Sequence, residues 1–265
     1  MATAISSANN HQTDVSNNSS LLRPLRSVYK RHHNLRFEWL RRAAANLRKN
    51  HIAVLELGCS DAKSLDFLPM NVSRYLGFDA GWRSGVKDGK PFGLEAARRK
   101  FQHKDQFEVR QSTNCEDLLN VADKFDLAIV METFEYLPTA QLRTYISAIC
   151  ERLYDDGILI TTMPNEKGLP VLIKAVGARL SGVPRSTYTP SELLHAALGK
   201  LEKVPRAERG RKGFDYRAIA KMVGSHLPEV CLDSIGFMEL PCSLSLNIGM
   251  IASRNASRAA RPNLR

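Results

Sequence analysis

The sequence predicts an α/β protein built on a seven-stranded, mostly parallel sheet with helices on both faces. Short apolar runs alternate with segments of helical spacing as far as residue 165, which is the pattern of successive β-α-β units. Residues 166–215 break this rhythm with helical patterns and no clear strand, which predicts a helical insertion after strand five. Two further apolar runs near the C terminus supply the closing strands.

The first strand is expected to follow a helix at residues 28–50, where apolar residues recur at helical spacing beside a basic face. We expect this helix to cover one edge of the sheet. Seven apolar or β-rich runs predict the strands, at 52–57, 74–79, 107–111, 125–131, 158–163, 230–237 and 245–252. Helices are predicted at 61–68, 94–101 and 140–153, a Gly-rich loop at 81–91, and a turn at 155–157.

The ends of the chain differ from its middle. Residues 1–25 are rich in Ser and Asn and lack both a basic leader and an apolar core, which predicts a disordered tail rather than a secretory signal. Residues 26–253 form the predicted domain, and 254–265 a basic C-terminal tail. No apolar run approaches the roughly 18 residues of a membrane span, so membrane contact would be peripheral. Nothing in the sequence indicates an oligomeric state.

Charge and cysteine usage restrict the functional classes. The formal net charge of +11 indicates either simple solubility or an anionic partner, which could be nucleic acid or a phosphorylated or carboxylated substrate. The five cysteines (Cys59, Cys115, Cys150, Cys231 and Cys242) form no C-x-x-C pair. That spacing argues against a zinc ribbon or a disulfide framework, predicts no metal site, and fits a reducing cytoplasm.

The loop after the first strand, V-L-E-L-G-C-S-D-A-K-S, fails two nucleotide-binding patterns. A phosphate-binding loop needs G-x-x-x-x-G-K-[ST], but Lys63 arrives one residue early and Asp61 would repel a phosphate. A dinucleotide loop needs G-x-G-x-x-G, and here Lys63 would have to replace the third glycine.

A third pattern, [DE]-x-G-x-G-x-G, belongs to loops that bind S-adenosylmethionine, and it fits better. Glu56 and Gly58 match its acid and first glycine, and Ser60 and Ala62 are small residues in place of the other two glycines. This cofactor has no phosphate and carries an ammonium and a sulfonium group, which nearby carboxylates attract. The loop therefore predicts a cationic cofactor.

With these residues, the chain resembles the class I S-adenosylmethionine-dependent methyltransferases, particularly the type 11 and type 23 groups. F-D-L-A-I-V-M-E-T-F-E-Y-L-P (125–138) resembles the family's fourth strand, and G-I-L-I-T-T-M-P-N (157–165) resembles its fifth. The resemblance spans about residues 52–165. It implies a Rossmann-like sheet, methyltransferase activity and S-adenosylmethionine as cofactor.

The resemblance also implies roles for individual residues. Glu56, Gly58, Cys59 and Ser60 would hold the methionine end of the cofactor, and Asp79 would accept hydrogen bonds from both ribose hydroxyls. The remaining cofactor candidates are Ala80, Trp82, Asn114, Cys115 and Met131. For Trp82, an anchor packed on the core is an equally good interpretation.

Catalytic candidates follow the fourth strand. Met131 and Glu132 should border the cofactor and the acceptor pocket, since ligands bind at strand carboxyl ends. Many relatives have Glu-His where this chain has Glu135-Tyr136. An unshifted tyrosine, with a pKa of about 10, is a poor base. The candidates are therefore Glu132, Glu135 and Tyr136, and transfer could also rest on positioning without a dedicated base.

The insertion is expected to determine the acceptor. Arg206, Arg209, Arg211 and Lys212 form a basic cluster that is either a solvated charge run or a clamp for an acceptor phosphate or carboxylate. Residues 168–180 form an apolar helix that either packs as a lid or meets a lipid.

Two functional hypotheses follow. The first is a methyltransferase acting on a small-molecule or cell-envelope-type (glycan or lipid-linked) acceptor with an anionic group. The alternative is a nucleic-acid-directed methyltransferase or an RNA-binding protein on a degenerate methyltransferase fold. M-E-T-F (131–134) stands where amino-methylating nucleic-acid enzymes often have [DN]-P-P-[FYW], which disfavours that subtype of the second hypothesis.

Overall fold

The computed structural model describes residues 34–180, 188–208, 210–236 and 240–262. In chain order, strands β1 to β9 are His51–Leu57, Asn71–Asp79, Gly85–Lys87, Lys90–Phe92, Phe107–Gln111, Phe125–Met131, Leu153–Pro164, Glu229–Ile235 and Asn247–Ser253. Seven of them form one sheet in the order β5-β2-β1-β6-β7-β9-β8, in which β9 runs antiparallel to both neighbours and the first five strands are parallel. The predicted seven-stranded, mostly parallel sheet is confirmed.

Helices cover both faces of this sheet. Helix α1 occupies residues 34–44, and α2 to α7 are Leu94–Phe101, Cys115–Leu119, Thr139–Glu151, Leu169–Leu180, Pro190–Ala197 and Tyr216–Gly224. Helices α3, α4 and α7 share one core with Leu55 and Leu57 of β1, whereas α1 and α2 share the other core with Ile52 and Val54. Burial on both faces explains why the strand is apolar at almost every position.

The insertion after β7 is helical, as predicted, and has a small core of its own. Helices α5 and α6 and the following 3₁₀ turn at Leu201–Lys203 pack around four buried residues: Val171, Ala196, Leu201 and Val204. Thr189 begins α6 with a capping box, because its hydroxyl accepts a hydrogen bond from the Glu192 amide and the Glu192 carboxylate accepts one from the Thr189 amide. This insertion covers the carboxyl ends of β6 and β7.

Three local predictions were wrong. The helix expected at 61–68 is only a 3₁₀ turn at Lys63–Phe67, because left-handed Ser60 and Ala62 and then Pro69 leave no room for an α-helix. The loop at 81–91 contains the hairpin β3-β4, whose Asp88-Gly89 turn has positive φ at both positions. The turn expected at 155–157 lies within β7, where the pairing with β6 shifts register between Phe125 and Leu127.

The C-terminal segment is bound to the fold as far as the structure describes it. Arg258 donates to the main-chain carbonyl of Asn46 at 2.8 Å, and Arg261 Nε donates to the buried carboxylate of Asp233 at 2.7 Å. Trp39 Nε1 donates to the other oxygen of Asp233 at 2.9 Å. One carboxylate on β8 thus links α1 with the C-terminal segment. None of the described helices is long and apolar enough to cross a membrane. The predicted N-terminal tail lies outside the described residues.

Candidate cofactor and acceptor site

The loop after β1 is a tight coil of small residues. Gly58, Ser60 and Ala62 all have left-handed backbone conformations, with φ of 77°, 48° and 53°. A Cβ added to Gly58 would lie 2.0 Å from Thr133 Oγ1, so only glycine allows this loop to approach the loop after β6 so closely. The amides of Gly58 and Cys59 donate to the Phe78 carbonyl at 2.7 and 3.1 Å, which fixes the loop against β2.

Asp79 lies at the end of β2, beside this loop. One of its carboxylate oxygens accepts from the Ser60 amide at 2.9 Å, and the other accepts from the Gly81 amide at 2.7 Å. Two loops that the sequence assigns to the cofactor are thereby joined by one carboxylate. This carboxylate lies at the carboxyl ends of the parallel strands, where ligands of open α/β sheets bind.

Glu56 supports the loop from below. Its buried carboxylate accepts hydrogen bonds from the Ser64 hydroxyl at 2.6 Å and the Tyr75 hydroxyl at 2.7 Å. Burial raises the pKa of Glu56 to about 7; these two hydrogen bonds oppose the shift, and the charges of Asp61 and Asp79 add to it. Three carboxyl groups therefore interact around one loop, an environment suited to a cationic ligand and unsuited to a phosphate.

Lys63, which resembles the lysine of a phosphate-binding loop, is held in contact with an aromatic ring. Its ammonium lies over the ring of Phe37, 4.8 Å from the ring centroid, and within hydrogen-bonding distance of the Asn34 side chain at 3.4 Å. The local chemistry of the loop thus fits S-adenosylmethionine better than a nucleotide phosphate.

The other cofactor candidates occupy varied environments. The Trp82 side chain is 55% exposed, which disfavours an anchor in the core. The thiols of Cys59 and Cys115 and the side chain of Met131 are buried in the two cores, and burial raises the pKa of Cys115 to about 11. The side chains of Cys59, Cys115 and Met131 therefore contribute to packing of the two cores.

Asn114 and Ala80 act on the loop conformation. The turn after β5 leads into α3, and Asn114 caps this helix by accepting a hydrogen bond from the Glu116 amide at 3.1 Å. Ala80 accepts a hydrogen bond from the Gln111 side chain at 3.4 Å through its carbonyl. The side chain of Asn114 is therefore engaged with its own helix.

Glu132 lies directly after β6, where the sequence predicts the acceptor pocket. This residue has a left-handed φ of 47°, and its amide donates to the Thr162 carbonyl at 2.8 Å, which turns its side chain away from the strand direction. Two guanidinium groups converge on its Oε2: Arg36 Nη1 at 3.0 Å and Arg211 Nη2 at 2.9 Å. Residues from α1, the β6 loop and the insertion therefore meet at one oxygen.

Glu135 is the most unusual group in the site. It is fully buried, and neither carboxylate oxygen has a hydrogen-bond partner in the described part of the chain. Among the described residues, Arg211 is the cation paired with Glu135, and its Nε lies 3.8 Å from Oε1. Burial raises the pKa of Glu135 to about 8, the charge of Glu132 adds to this, and Arg211 opposes it. Burial therefore favours the neutral, protonated form of Glu135.

The remaining members of the basic cluster have separate partners. Arg206 Nη2 lies 3.4 Å from the carbonyls of Phe134, Glu135 and Leu137, and Lys212 pairs with Glu192 at 2.8 Å. Arg209 lies outside the described residues. Tyr136, the third catalytic candidate, is partly exposed beside Glu135. Within the described cluster, Arg211 is the member that reaches the acidic groups after β6.

Sequence reasoning missed two elements of this site. Glu166 follows the end of β7 and pairs with Lys174 of α5 at 2.8 Å, while Tyr188 donates to the other oxygen of Glu166 at 3.2 Å. The strand-end rule that singled out Glu132 could also have found Glu166. Arg36 is contributed by α1, far away in the sequence, and no local pattern indicates that it meets Glu132.

The fold and this loop together define the class of protein: a Rossmann-like enzyme that binds a cationic cofactor at the carboxyl ends of its parallel strands. A family profile described as "Methyltransferase domain" matches residues 29–201, well over half of the chain. The chain belongs to this family and is an S-adenosylmethionine-dependent methyltransferase of class I. No curated protein matches its sequence.

Several solved structures resemble the fold at low sequence identity. The N-methyltransferase NodS from Bradyrhizobium japonicum WM9, in complex with S-adenosyl-L-homocysteine, is 16% identical with a TM-score of 0.46, and 84% of each chain is covered. An S-adenosylmethionine-dependent methyltransferase from Clostridium acetobutylicum is 14% identical with a TM-score of 0.49, covering 82% of this chain and 91% of the other. Magnesium protoporphyrin IX methyltransferase from Synechocystis PCC 6803 is 17% identical with a TM-score of 0.48, covering 89% and 88%.

Proposed function

We propose that this methyltransferase acts on a small-molecule or cell-envelope-type (glycan or lipid-linked) acceptor that carries an anionic group. The observation that supports this is the convergence of Arg36 and Arg211 on a single oxygen of Glu132. An acceptor phosphate or carboxylate could share or replace that oxygen between two planar guanidinium groups.

The local charge balance favours an anion. Arg36 and Arg211 carry two positive charges against the one negative charge of Glu132, because burial keeps Glu135 protonated below a pKa of about 8. The charges of Lys174 and Glu166 cancel, because these two residues form a neighbouring ion pair. Around Glu132, the described groups therefore carry more positive than negative charge, and an acceptor anion would reduce this imbalance.

We assign different roles to the four cations of the basic cluster. Arg211 would bind the acceptor, because it reaches Glu132. Arg206 and Lys212 would hold the segment that carries Arg211, because Arg206 lies against main-chain carbonyls and Lys212 pairs with Glu192 of α6. For Arg209, acceptor binding stays a prediction. A nucleic-acid acceptor is the alternative, and its amino-methylating subtype is disfavoured because M-E-T-F (131–134) stands where such enzymes often have [DN]-P-P-[FYW].

The chemistry would depend mainly on positioning. When bound, S-adenosylmethionine supplies an electrophilic methyl group. Asp79 would bind the ribose hydroxyls and the small loop residues would hold the methionine end, with Glu56 supporting them from below. Glu132 is ion-paired and Glu135 is protonated, so neither is well suited to remove a proton at neutral pH. The insertion would exclude water and align the acceptor. We expect the enzyme to work in the cytoplasm, in keeping with five free cysteines.

The test is methyl transfer from radiolabelled S-adenosylmethionine to a panel of phosphate- and carboxylate-bearing acceptors, each paired with its neutral ester or amide, and to RNA. We expect label in an anionic acceptor and not in its neutral counterpart. Arg211→Gln and Arg36→Gln should raise the acceptor KM about ten- to a hundredfold, the loss of one charge-assisted contact. The exposed Arg110→Gln is the control. Equal labelling of a neutral counterpart, or labelling of RNA alone, would contradict the proposal.

A further inference from the structure

The insertion exposes an apolar surface on its outer side. Six of the fourteen large hydrophobic side chains exposed in the described structure lie on or directly after α5 and α6. They are Leu169, Leu172, Ile173, Val176, Leu194 and Leu198, which we call the insertion stripe. Val176 is 58% exposed and Leu198 62% exposed.

The stripe follows the helical repeat. Its four members on α5 have spacings of three, four and seven residues from Leu169, so they share one face of the helix. On another face of α5, Val171 is buried in the insertion core and Lys174 pairs with Glu166 beside the acceptor site. The apolar face therefore cannot be explained by packing against the domain, which already uses other residues of α5. Soluble proteins rarely leave such contiguous patches uncovered without a binding role.

Several cations lie beside the two helices that carry this stripe, and Glu202 lies among them. Lys167, Lys200 and Lys203 flank the two helices, and in the ranges that the structure describes none of them takes part in an ion pair. A cavity of about 260 Å³ opens beside Leu198, and its lining includes Lys167 and Arg217 but no carboxylate. Apolar side chains next to unneutralised cations and a cationic cavity are the combination that anionic lipid requires, since acyl chains and headgroup phosphates lie side by side in a bilayer surface.

We propose that the insertion stripe docks this enzyme peripherally on an anionic lipid surface, with a headgroup phosphate in the cavity between Lys167 and Arg217. The formal net charge of +11 favours an anionic surface over a neutral or basic one. Helix α5 would then join the lipid surface to the acceptor site, because its Lys174 lies beside Glu166. This inference goes beyond the acceptor chemistry proposed above and does not depend on it.

The test is co-sedimentation of the full chain with vesicles of phosphatidylglycerol and phosphatidylcholine, and with vesicles of phosphatidylcholine alone. We expect binding to the anionic vesicles only, weakened by salt because part of the attraction is screened charge. The double variant Ile173→Glu/Val176→Glu should lower the partition at least about tenfold, since it places two charges in the apolar contact. The control is Val86→Glu, at a residue 55% exposed on the β3-β4 hairpin; it should bind like the wild type.

A second variant tests the cavity. Lys167→Gln/Arg217→Gln should bind anionic vesicles several-fold more weakly and lose part of the salt dependence. The affinity for S-adenosylmethionine in solution, measured on every variant, should stay unchanged. This measurement distinguishes loss of lipid binding from damage to the cofactor or acceptor site. It also shows that each variant is folded.

Four outcomes would overturn the docking proposal. Wild-type protein could remain in the supernatant, or Val86→Glu could lose as much binding as the stripe variant. Light scattering could show a dimer that Ile173→Glu/Val176→Glu converts to a monomer, which would make the stripe an interface between two copies. Finally, the wild type could bind RNA, with the cavity variant losing this binding and the stripe variant binding RNA and vesicles like the wild type. That result would assign the cations to nucleic acid.

Discussion

The amide of Ser60 donates a 2.9 Å hydrogen bond to Asp79, so the loop after β1 and the end of β2 depend on the same carboxylate. The second oxygen of Asp79 fixes the next loop through the Gly81 amide at 2.7 Å. The residue that we expect to bind the cofactor ribose therefore also shapes the surface on which the cofactor lies.

Replacing Asp79 should weaken cofactor binding. We expect Asp79→Ala to reduce the affinity for S-adenosylmethionine by about 2–3 kcal/mol, because charge-assisted hydrogen bonds to the ribose are lost and two loop amides lose their acceptor. Asp79→Asn keeps the shape but not the charge and should fall between the wild type and the alanine variant. Isothermal titration measures both. A folded Asp79→Ala variant with wild-type affinity would exclude this residue from the site.

Gly58 should be sensitive for a different reason. Gly58→Ala should lower the free energy of unfolding by about 2–4 kcal/mol for two reasons. Alanine is strained at the left-handed φ of 77°, and its Cβ would clash with Thr133 Oγ1. Adding Thr133→Ala removes that hydroxyl and should recover part of the loss. Thermal or chemical unfolding gives the comparison, with Gly177→Ala on α5 as the control, since its Cβ meets nothing within 4 Å. No recovery in the double variant would rule out the clash.

The sheet could be predicted from the sequence because buried parallel strands are apolar on both sides and end in recognisable residues such as Gly58 and Asp79. The hairpin β3-β4 was missed although its Asp88-Gly89 turn is a strong local signal. The meeting of Arg36 with Glu132 could not be predicted, because it joins α1 to the β6 loop across the folded domain. Likewise, the sequence of the charge run 206–212 does not reveal which of its cations form ion pairs within the protein.

The buried Asp233 should be important for stability. Asp233→Ala should lower the free energy of unfolding by about 2–4 kcal/mol, because the Trp39 indole is left buried without this acceptor and Arg261 loses its contact with the carboxylate. The matched control is Asp123→Ala, which breaks the exposed pair with Arg74 and should cost about 1 kcal/mol or less. Urea unfolding distinguishes them. Equal losses in the two variants would show that the link from α1 to the C-terminal segment adds nothing.

Glu135 should make stability depend on pH. Its pKa is raised from 4.5 to about 8 by burial, so between these values the folded protein binds a proton that the unfolded chain releases. The contribution of this bound proton to the free energy of unfolding is fully present below about pH 4.5, declines as pH rises, and is lost above about pH 8. The slope of this decline is at most about 1.4 kcal/mol per pH unit. Glu135→Gln has no such proton, so its stability should fall less steeply over this range.

The comparison of slopes isolates Glu135 from other groups. Glu56, with a pKa of about 7, contributes in the same direction but is present in both proteins, so its effect cancels in the difference. The buried amide of Glu135→Gln adds a penalty that does not vary with pH and shifts the whole curve without changing its slope. The exposed Glu229→Gln is the control and should run parallel to the wild type. Urea unfolding at pH 5, 6, 7 and 8 measures the slopes. Parallel curves for Glu135→Gln and the wild type would mean that Glu135 is ionised in the folded protein, and the positive excess proposed for the acceptor site would then disappear.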